Sequence, residues 1–430
     1  MKKIIASLLF AVPLLTCSNG KESALPCLET GNHYRAENGD KEFVLSVLSD
    51  QANHIQGFFY DAEEGAEAPL HSFAAEKTKN SLVFFSPQIE TKKISFRKLL
   101  NEYTITPQDD PPAEFDASNL YKKPVSHVKT TPDLCYGHAT GYWTSIPGYE
   151  DNPMNLFTKG YVKSFSKKEL ELTLDLYEPT EMKGKKPFIL FIHGGAFYAG
   201  DKQELAYIDW CKHFASLGYV TASMNYRMGF RLNSDDYRNA ERRAFDDACR
   251  ALRFIMKHAD DYGIDSDKIF LAGTSAGAMI CLDIAFNRYG QTKGFGSLFP
   301  DEKGNNSFQI QAVASMWGAM ADLNMLGNGT SDIILFHGDA DRTIHYEKGH
   351  PYWGYSIGNA VPAFSNVDLY GSAAIHRKAK ELGLKSKLCL FKGEDHSFNV
   401  DKGIYPNDNH IAIRDSIASF FYLSLSEKNY

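Results

Sequence analysis

The spacing of apolar and polar residues changes rhythm twice along the chain. Between about residues 27 and 108, short apolar runs alternate with polar turns: Phe43-Val44-Leu45, Ile55 to Tyr60, Ser81 to Phe85, Ile94 to Phe96 and Tyr103 to Thr106. Runs of this length, rich in aromatic and β-branched residues, predict an antiparallel meander and hence a small N-terminal β domain. Asp109-Asp110-Pro111-Pro112 ends any strand, because proline has no N–H to donate and a fixed φ. The segment from 109 to 159 shows no clear period and reads as a linker packing on the domain C-terminal to it.

From about 160 to 430 the pattern becomes strands alternating with helices. Pro187 to Ile192 is a continuous apolar run, as a strand buried on both faces requires. Leu205, Ile208, Trp210 or Cys211, Phe214 and Leu217 then fall at helical spacing, closed by Gly218. Tyr219 to Met224 predicts the next strand. Phe245, Ala248, Leu252, Ile255 and Ala259 predict a helix with Gly263 as its C-terminal glycine, followed by the strand Ile269 to Ala272. Further strands are expected at Ala312 to Met316, Ile333 to Phe336 and Leu388 to Phe391, with helices near 372–382 and 411–424. Such alternation predicts an α/β domain, a mostly parallel, doubly wound sheet with helices on both faces.

Composition narrows the class. Of 430 residues, 43% are hydrophobic and 23% charged, enough apolar surface for a sizeable core and too little polarity for bulk disorder. Lys and Arg number 46 against 53 Asp and Glu, a net charge of −7, and no basic run is available to neutralise a series of phosphates. Nucleic acid is therefore not an expected partner.

The first 17 residues stand apart. Lys2 and Lys3 precede an apolar stretch, Ile4 to Leu15, too short to remain as a membrane-spanning helix and suited to a secretory signal. Its end, Leu14-Leu15-Thr16-Cys17, resembles a bacterial lipobox, although Thr16 replaces the usual Gly, Ala or Ser. That resemblance implies lipidation at Cys17 and an exported, membrane-anchored protein, with Ser18 to Ser23 as tether; simple secretion and a buried amphipathic start are the alternatives. Of the other six cysteines, which permit fifteen pairings, Cys211, Cys249, Cys281 and Cys389 lie in apolar patterns and read as buried thiols. Cys27 and Cys135 lie outside that core, which leaves a disulfide between them open. No CxxC pair or His/Cys cluster shows zinc spacing, and no metal or cofactor is expected.

The chemistry gathers at strand ends. Ile269 to Ala272 runs into Gly273-Thr274-Ser275-Ala276-Gly277 and then a helical stretch, the strand–turn–helix context that gives a G-x-S-x-G motif its meaning as a nucleophile elbow. Ser275 is the candidate nucleophile; the flanking glycines permit the close contacts, and the helix N-terminus favours developing negative charge. The earlier strand ending at Ile192 leads into His193-Gly194-Gly195-Ala196-Phe197, about 80 residues before the serine, where glycines let backbone N–H groups approach a substrate oxygen.

Together these motifs resemble the α/β-hydrolase serine esterases and lipases with an HGGG-type oxyanion loop, over roughly 160–428. The likeness is to the bacterial carboxylesterase and carbohydrate-esterase branch, with acetyl or feruloyl esterases as its types. The resemblance implies N–H donors at Gly195, Ala196 and Ala276, with alanine at 196 where relatives usually carry the third glycine. It also implies the order serine, acid, histidine. Ile333 to Phe336 ends in His337-Gly338-Asp339-Ala340-Asp341-Arg342, resembling the family's H-G-x-x-D turn, so Asp341 is the expected acid and Asp339 its competitor. His396, in Gly393-Glu394-Asp395-His396-Ser397-Phe398, is the expected base; an imidazole of ordinary pKa near ~6.5 suits proton transfer at neutral pH.

Other groups carry plainer readings. His193, His337, His345 and His350 read as loop or hydrogen-bonding histidines, and Asp247 as structural support. The connection Tyr346 to Tyr370 holds Tyr352, Trp353, Tyr355 and Phe364 beside the acid turn; a substrate wall and half-buried packing are both open. The expected function is an exported serine carboxylic-ester hydrolase releasing small acyl groups, acetyl or similar, from carbohydrate esters. The competing readings are a prolyl-oligopeptidase-like peptidase, a lipase-like esterase of longer chains, and a non-catalytic binding protein.

Overall fold

The computed structural model describes six strands between residues 33 and 107, then residues 120–146, 166–286 and 310–427, apart from 123, 232–233 and 402–404. The chain divides into two compact units, Met1–Pro111 and Pro112–Tyr430.

The first unit is an antiparallel sheet of six strands. Their spatial order is Leu82–Phe85, His71–Lys77, His54–Asp61, Lys41–Gln51, His33–Asn38 and Thr104–Pro107. The first five strands in sequence run as a meander, and the last returns beside the first. His33–Asn38 and His71–Lys77 are strands that the apolar runs did not mark; Ile94 to Phe96, Cys17 and Cys27 lie outside the described residues.

The second unit is built on eight strands: β1 Val128–Gly141, β2 Lys168–Pro179, β3 Lys186–Ile192, β4 Val220–Met224, β5 Ile264–Thr274, β6 Ile310–Met316, β7 Asp332–Gly338 and β8 Ser386–Phe391. Their order is β8-β7-β6-β5-β3-β4-β2-β1. Strands β3 to β8 pair in parallel, while β2 runs antiparallel to β4 and β1 antiparallel to β2. This is the α/β-hydrolase arrangement. Every residue of β3, β4 and β7 is buried, the burial expected of strands covered on both faces.

Among the described residues, five helices cover the sheet: α1 Leu205–Ser216, α2 Ser234–Lys257, α3 Ala276–Phe286, α4 Ser372–Glu381 and α5 Asp408–Glu427. Alternation along the strands divides the core in two. Ile189 and Phe191 of β3 pack with Trp210 and Phe214 of α1 and with Ile417 and Phe421 of α5. Phe188, Leu190 and Ile192 face the other way, against the cluster holding Leu252 of α2, Met279 of α3 and Ile375 of α4.

Two differences from the sequence reading have physical causes. The segment 109–159, expected as a linker, contributes the 14-residue strand β1 to the sheet of the second unit. Its alternation is broken twice, by register shifts between Thr131 and Leu134 and between Cys135 and Gly137, and each bulge reverses which side chains face the core. Helix α2 begins at Ser234, well before Phe245, because Tyr237, Ala240 and Ala244 extend the buried stripe through an otherwise charged stretch.

Candidate active site

The elbow is a strained turn held by its surroundings. β5 delivers Ser275 with φ +50, a left-handed conformation that costs a non-glycine residue roughly 1–2 kcal/mol. The Ser275 N–H donates to Met316 O at 2.8 Å, tying the turn to the end of β6, and Ser275 O accepts from Met279 N in the first turn of α3. A Cβ added at Gly277 would lie 2.0 Å from Ile192 O, and one at Gly273 2.6 Å from the Gly277 carbonyl carbon. Only glycine fits either position without moving backbone.

The loop after β3 lies against this turn. A Cβ on Gly194 would stand 3.2 Å from Ser275 Cβ. Tyr207 of α1 bridges the two: its hydroxyl accepts the Gly194 N–H at 3.1 Å and shares a hydrogen bond of 2.6 Å with Thr274 Oγ1. Tyr226 donates to His193 O and Gly194 O and stacks on the His193 ring. Gly195, Ala196 and Phe197 follow with φ of +94, +55 and +59, and Gly195 O accepts from Tyr198 N and Ala199 N. The N–H groups of Gly195 and Ala196 meet no acceptor among the described residues. Ala276 opens α3, so its N–H has no carbonyl one turn back.

The acid and the histidine arrive from β7 and from the loop after β8. His396 Nε2 is 2.9 Å from Ser275 Oγ, and His396 Nδ1 is 2.7 Å from Asp341 Oδ2. Asp341 Oδ1 accepts the N–H groups of Thr343 and Ile344, each at 2.8 Å. Burial pushes the Asp341 carboxyl up, but the charge on His396 and hydrogen bonds from His337 and His396 outweigh it and hold the group well below the usual carboxylate range. Asp341 is therefore ionised, and a carboxylate facing Nδ1 makes that nitrogen the donor, leaving Nε2 as the acceptor towards Ser275.

Asp339 does other work. Its Oδ1 accepts Gly393 N–H at 2.6 Å, fastening the β7 turn to the loop that carries His396. Asp395 completes that joint by accepting from Arg342 N, Arg342 Nε and His396 N.

The structure thus brings Ser275, Asp341 and His396 together; Gly194 lies against the serine turn, with Gly195 and Ala196 next in the chain, and Ala276 follows the serine. Of the aromatic residues after the acid, Trp353 is 39% exposed, with its Nε1 donating to Asp341 O. Tyr352 is buried on Phe364, and Tyr355 packs over the Arg342 guanidinium. His337 is buried, with Nε2 3.1 Å from Ile344 O and 3.3 Å from Asp341 Oδ2. Asp247 makes a buried bidentate pair with Arg227.

Three features escaped the sequence reading. Trp317, at φ +42 after β6, packs between the His396 and Phe398 rings; its position at a strand end was the available signal. Lys202 is buried in ion pairs with Asp175 and Asp133, contacts between residues far apart in sequence that no local pattern reveals. Cys135, His138 and Glu171 offer ligand atoms within 4.8 Å of one another, although no His/Cys cluster was expected; the C-x-x-H spacing was the signal. Cys135, Cys211, Cys249, Cys281 and Cys389 are free thiols; Cys211, Cys249 and Cys281 are buried, but Cys389, expected to be, is only half-buried because it lies on β8 at the edge of the sheet, and a Cys27–Cys135 pairing lies outside the described residues.

Known proteins similar to this chain include several esterases. The family model described as BD-FAE matches residues 174–333. The chain is 26% identical over 241 residues to the Arabidopsis thaliana protein named "Probable isoprenylcysteine alpha-carbonyl methylesterase ICMEL1", covering 52% of this chain and 48% of that one. It is 28% identical over 145 residues to the para-nitrobenzyl esterase of Bacillus subtilis (strain 168), 33% of this chain and 29% of that one. It therefore spans half or less of these curated relatives. Among solved structures, Thermogutta terrifontis esterase 2 superposes with a TM-score of 0.44 at 20% identity, covering 60% of this chain and 90% of that one.

Proposed function

We propose that this protein is a serine carboxylic-ester hydrolase working through an acyl-enzyme. The observation that carries the reading is the relay of 2.9 and 2.7 Å from Ser275 through His396 to an ionised, buried Asp341. His396 Nε2 takes the Ser275 proton as Oγ attacks the ester carbonyl. The oxyanion accepts from the N–H groups of Gly195, Ala196 and Ala276. As the tetrahedral species collapses, Nε2 returns the proton to the leaving alcohol. Water then enters, gives a proton to Nε2 and attacks the acyl carbonyl; the second collapse frees the acid and re-protonates Ser275.

The proposed natural substrates are carbohydrate esters of small acyl groups, acetyl or similar. Ala196 adds a methyl beside the oxyanion donors, which favours a short acyl chain. On the alcohol side, the exposed Trp353 indole beside Asp341 offers a face on which a sugar ring stacks. A lipase-like preference for long chains and a prolyl-oligopeptidase-like peptidase are the competing activities. The six-stranded N-terminal sheet argues against the peptidase, whose propeller needs several four-stranded blades.

Turnover of p-nitrophenyl acetate against a prolyl p-nitroanilide separates esterase from peptidase. Ser275→Ala should lower ester hydrolysis by about 10⁶, near the background, with the thermal transition retained. Activity within tenfold of the parent sinks the assignment. The proposed location is outside the cytoplasmic membrane, anchored by a lipid on Cys17. Cys17→Ser, expressed in the source organism, should then shift from the membrane fraction to the soluble one; an unchanged distribution refutes the anchor.

A further inference from the structure

On the solvent side of the outermost strand pair, three side chains of different chemistry converge. Cys135 Sγ is 4.0 Å from His138 Nδ1, and both lie with a Glu171 carboxylate oxygen inside a 4.8 Å span. His138 stands directly across from Glu171 in the β1–β2 register, so their side chains share a face. Cys135 is three residues from His138, and simple alternation would send it to the opposite face.

The bulge removes that obstacle. Tyr136 is the unpaired residue between Cys135, opposite Thr173, and Gly137, opposite Leu172. Its ring is buried and its hydroxyl donates to Asn225 O at 2.6 Å, so the bulge is anchored in the core. With one residue taken out of the count, Cys135 and His138 come to the same side. Cys135 is half-buried, and the other two are exposed.

We propose that Cys135, His138 and Glu171 form a zinc site. Thiolate, imidazole and carboxylate together suit a borderline-soft divalent ion, and three protein ligands leave a fourth tetrahedral position for water. Zinc bonds of about 2.0–2.3 Å place tetrahedral ligand atoms roughly 3.5 Å apart, so the trio closes by side-chain rotation without backbone movement. On binding, the Cys135 thiol proton passes to solvent. The site is structural. It lies three to four strands from the one that bears Ser275, about 14–19 Å at ordinary strand spacing, and it clips together the two strands at the sheet's edge.

The test uses the full chain, purified without reductant, dialysed against a chelator and titrated with Zn²⁺ or Co²⁺. The parent should bind one Zn²⁺ per chain by elemental analysis. The Co²⁺ form should show thiolate-to-cobalt charge-transfer absorption in the near ultraviolet. Zn²⁺ should raise Tm by several degrees, reversibly with chelator, and leave kcat/KM for p-nitrophenyl acetate unchanged. Cys135→Ser should lose the charge-transfer band and the stoichiometric metal. His138→Ala and Glu171→Gln should each weaken binding at least tenfold, with all variants keeping the metal-free Tm and activity. The inference is overturned if Cys135→Ser still binds one equivalent, if the parent binds no better than the variants, or if Cys135 is recovered in a disulfide. These outcomes are independent of whether the enzyme is an esterase.

Discussion

Replacing Asp341 by asparagine changes one atom and should nearly silence the enzyme. Asp341 Oδ1 accepts two backbone N–H groups, from Thr343 and Ile344, each at 2.8 Å. An asparagine must keep its oxygen there, because turning its NH₂ towards two N–H donors would lose two hydrogen bonds and set like against like. The NH₂ then occupies the Oδ2 position, 2.7 Å from His396 Nδ1. His337 opposes this orientation, but with one longer contact against two bonds of 2.8 Å. Its Nε2 lies 3.1 Å from the Ile344 carbonyl and so carries hydrogen, and it also points at Oδ2 from 3.3 Å. With an amide as donor, His396 is held in the tautomer protonated on Nε2, which cannot accept from Ser275. The imidazolium formed in the transition state also loses its counter-charge. A loss of about 10⁴ in kcat is expected, roughly 5.5 kcal/mol of barrier at 1.36 kcal/mol per decade. Asp339→Asn disturbs only the bond from Gly393 N–H and should stay within tenfold of the parent. Steady-state kinetics on p-nitrophenyl acetate, with thermal melts to show that both variants fold, decides the matter. If Asp341→Asn keeps a tenth of the activity, or if the ranking reverses, the tautomer argument fails.

Two further expectations concern acyl size and pH. Ala196→Gly removes a side chain at φ +55, relieving roughly 1–2 kcal/mol of strain against about 0.4–1 kcal/mol of added chain entropy, so stability should hold or rise slightly. Its kcat/KM for p-nitrophenyl butyrate and octanoate should rise relative to that for acetate, the expected best substrate of the parent; unchanged ratios refute the steric reading. In the second, burial pushes up the carboxyls of Glu241 on α2 and Asp283 on α3, and the charge on Glu241 raises Asp283 further. A raised folded-state pKa contributes stability that is complete below the unfolded value, near ~4, and is lost as pH rises through the folded value. Asp341 and Asp209, whose carboxyls are lowered, the latter to about 2, lose their contributions only on the acid side, as pH falls. From pH 5 to 8, Tm should therefore fall more steeply for the parent than for Glu241→Gln; parallel curves refute the pair.

The parts of the site that the sequence disclosed are those where a strand, a turn and a chemically distinctive residue are contiguous. Ser275 and Asp341 each follow a buried apolar run, His396 follows the partly exposed apolar run of β8, and the elbow glycines mark backbone contacts no side chain could share. The choice of Asp341 over Asp339 rested on the H-G-x-x-D likeness, and the geometry separates them, one carboxylate on the histidine and the other on Gly393 N–H. Strand β2 was legible and overlooked: Leu170, Leu172, Leu174 and Leu176 alternate with polar residues and are all buried. Strand β1 was hidden, since two bulges scramble its period. The Lys202–Asp175 and Arg227–Asp247 pairs depend on long-range closure, which no window of neighbouring residues contains.

The Tyr207 hydroxyl, set between Gly194 N–H and Thr274 Oγ1, makes the serine turn and the loop facing it a single mechanical part. Glycine contacts of the kind seen at Gly277 and Ile192 O leave that part no slack. On the proposed function, adaptation to a new ester cannot proceed by loosening this joint, because any widening there separates the proposed nucleophile from the proposed oxyanion donors at the same stroke. Room for change lies on the opposite bank, among the residues after the acid. There Trp353 is fastened to the site by one hydrogen bond to a backbone carbonyl, and its ring can be exchanged while the relay stays in register. A hydrolase so divided would hold its chemistry rigid and leave its choice of alcohol open to mutation.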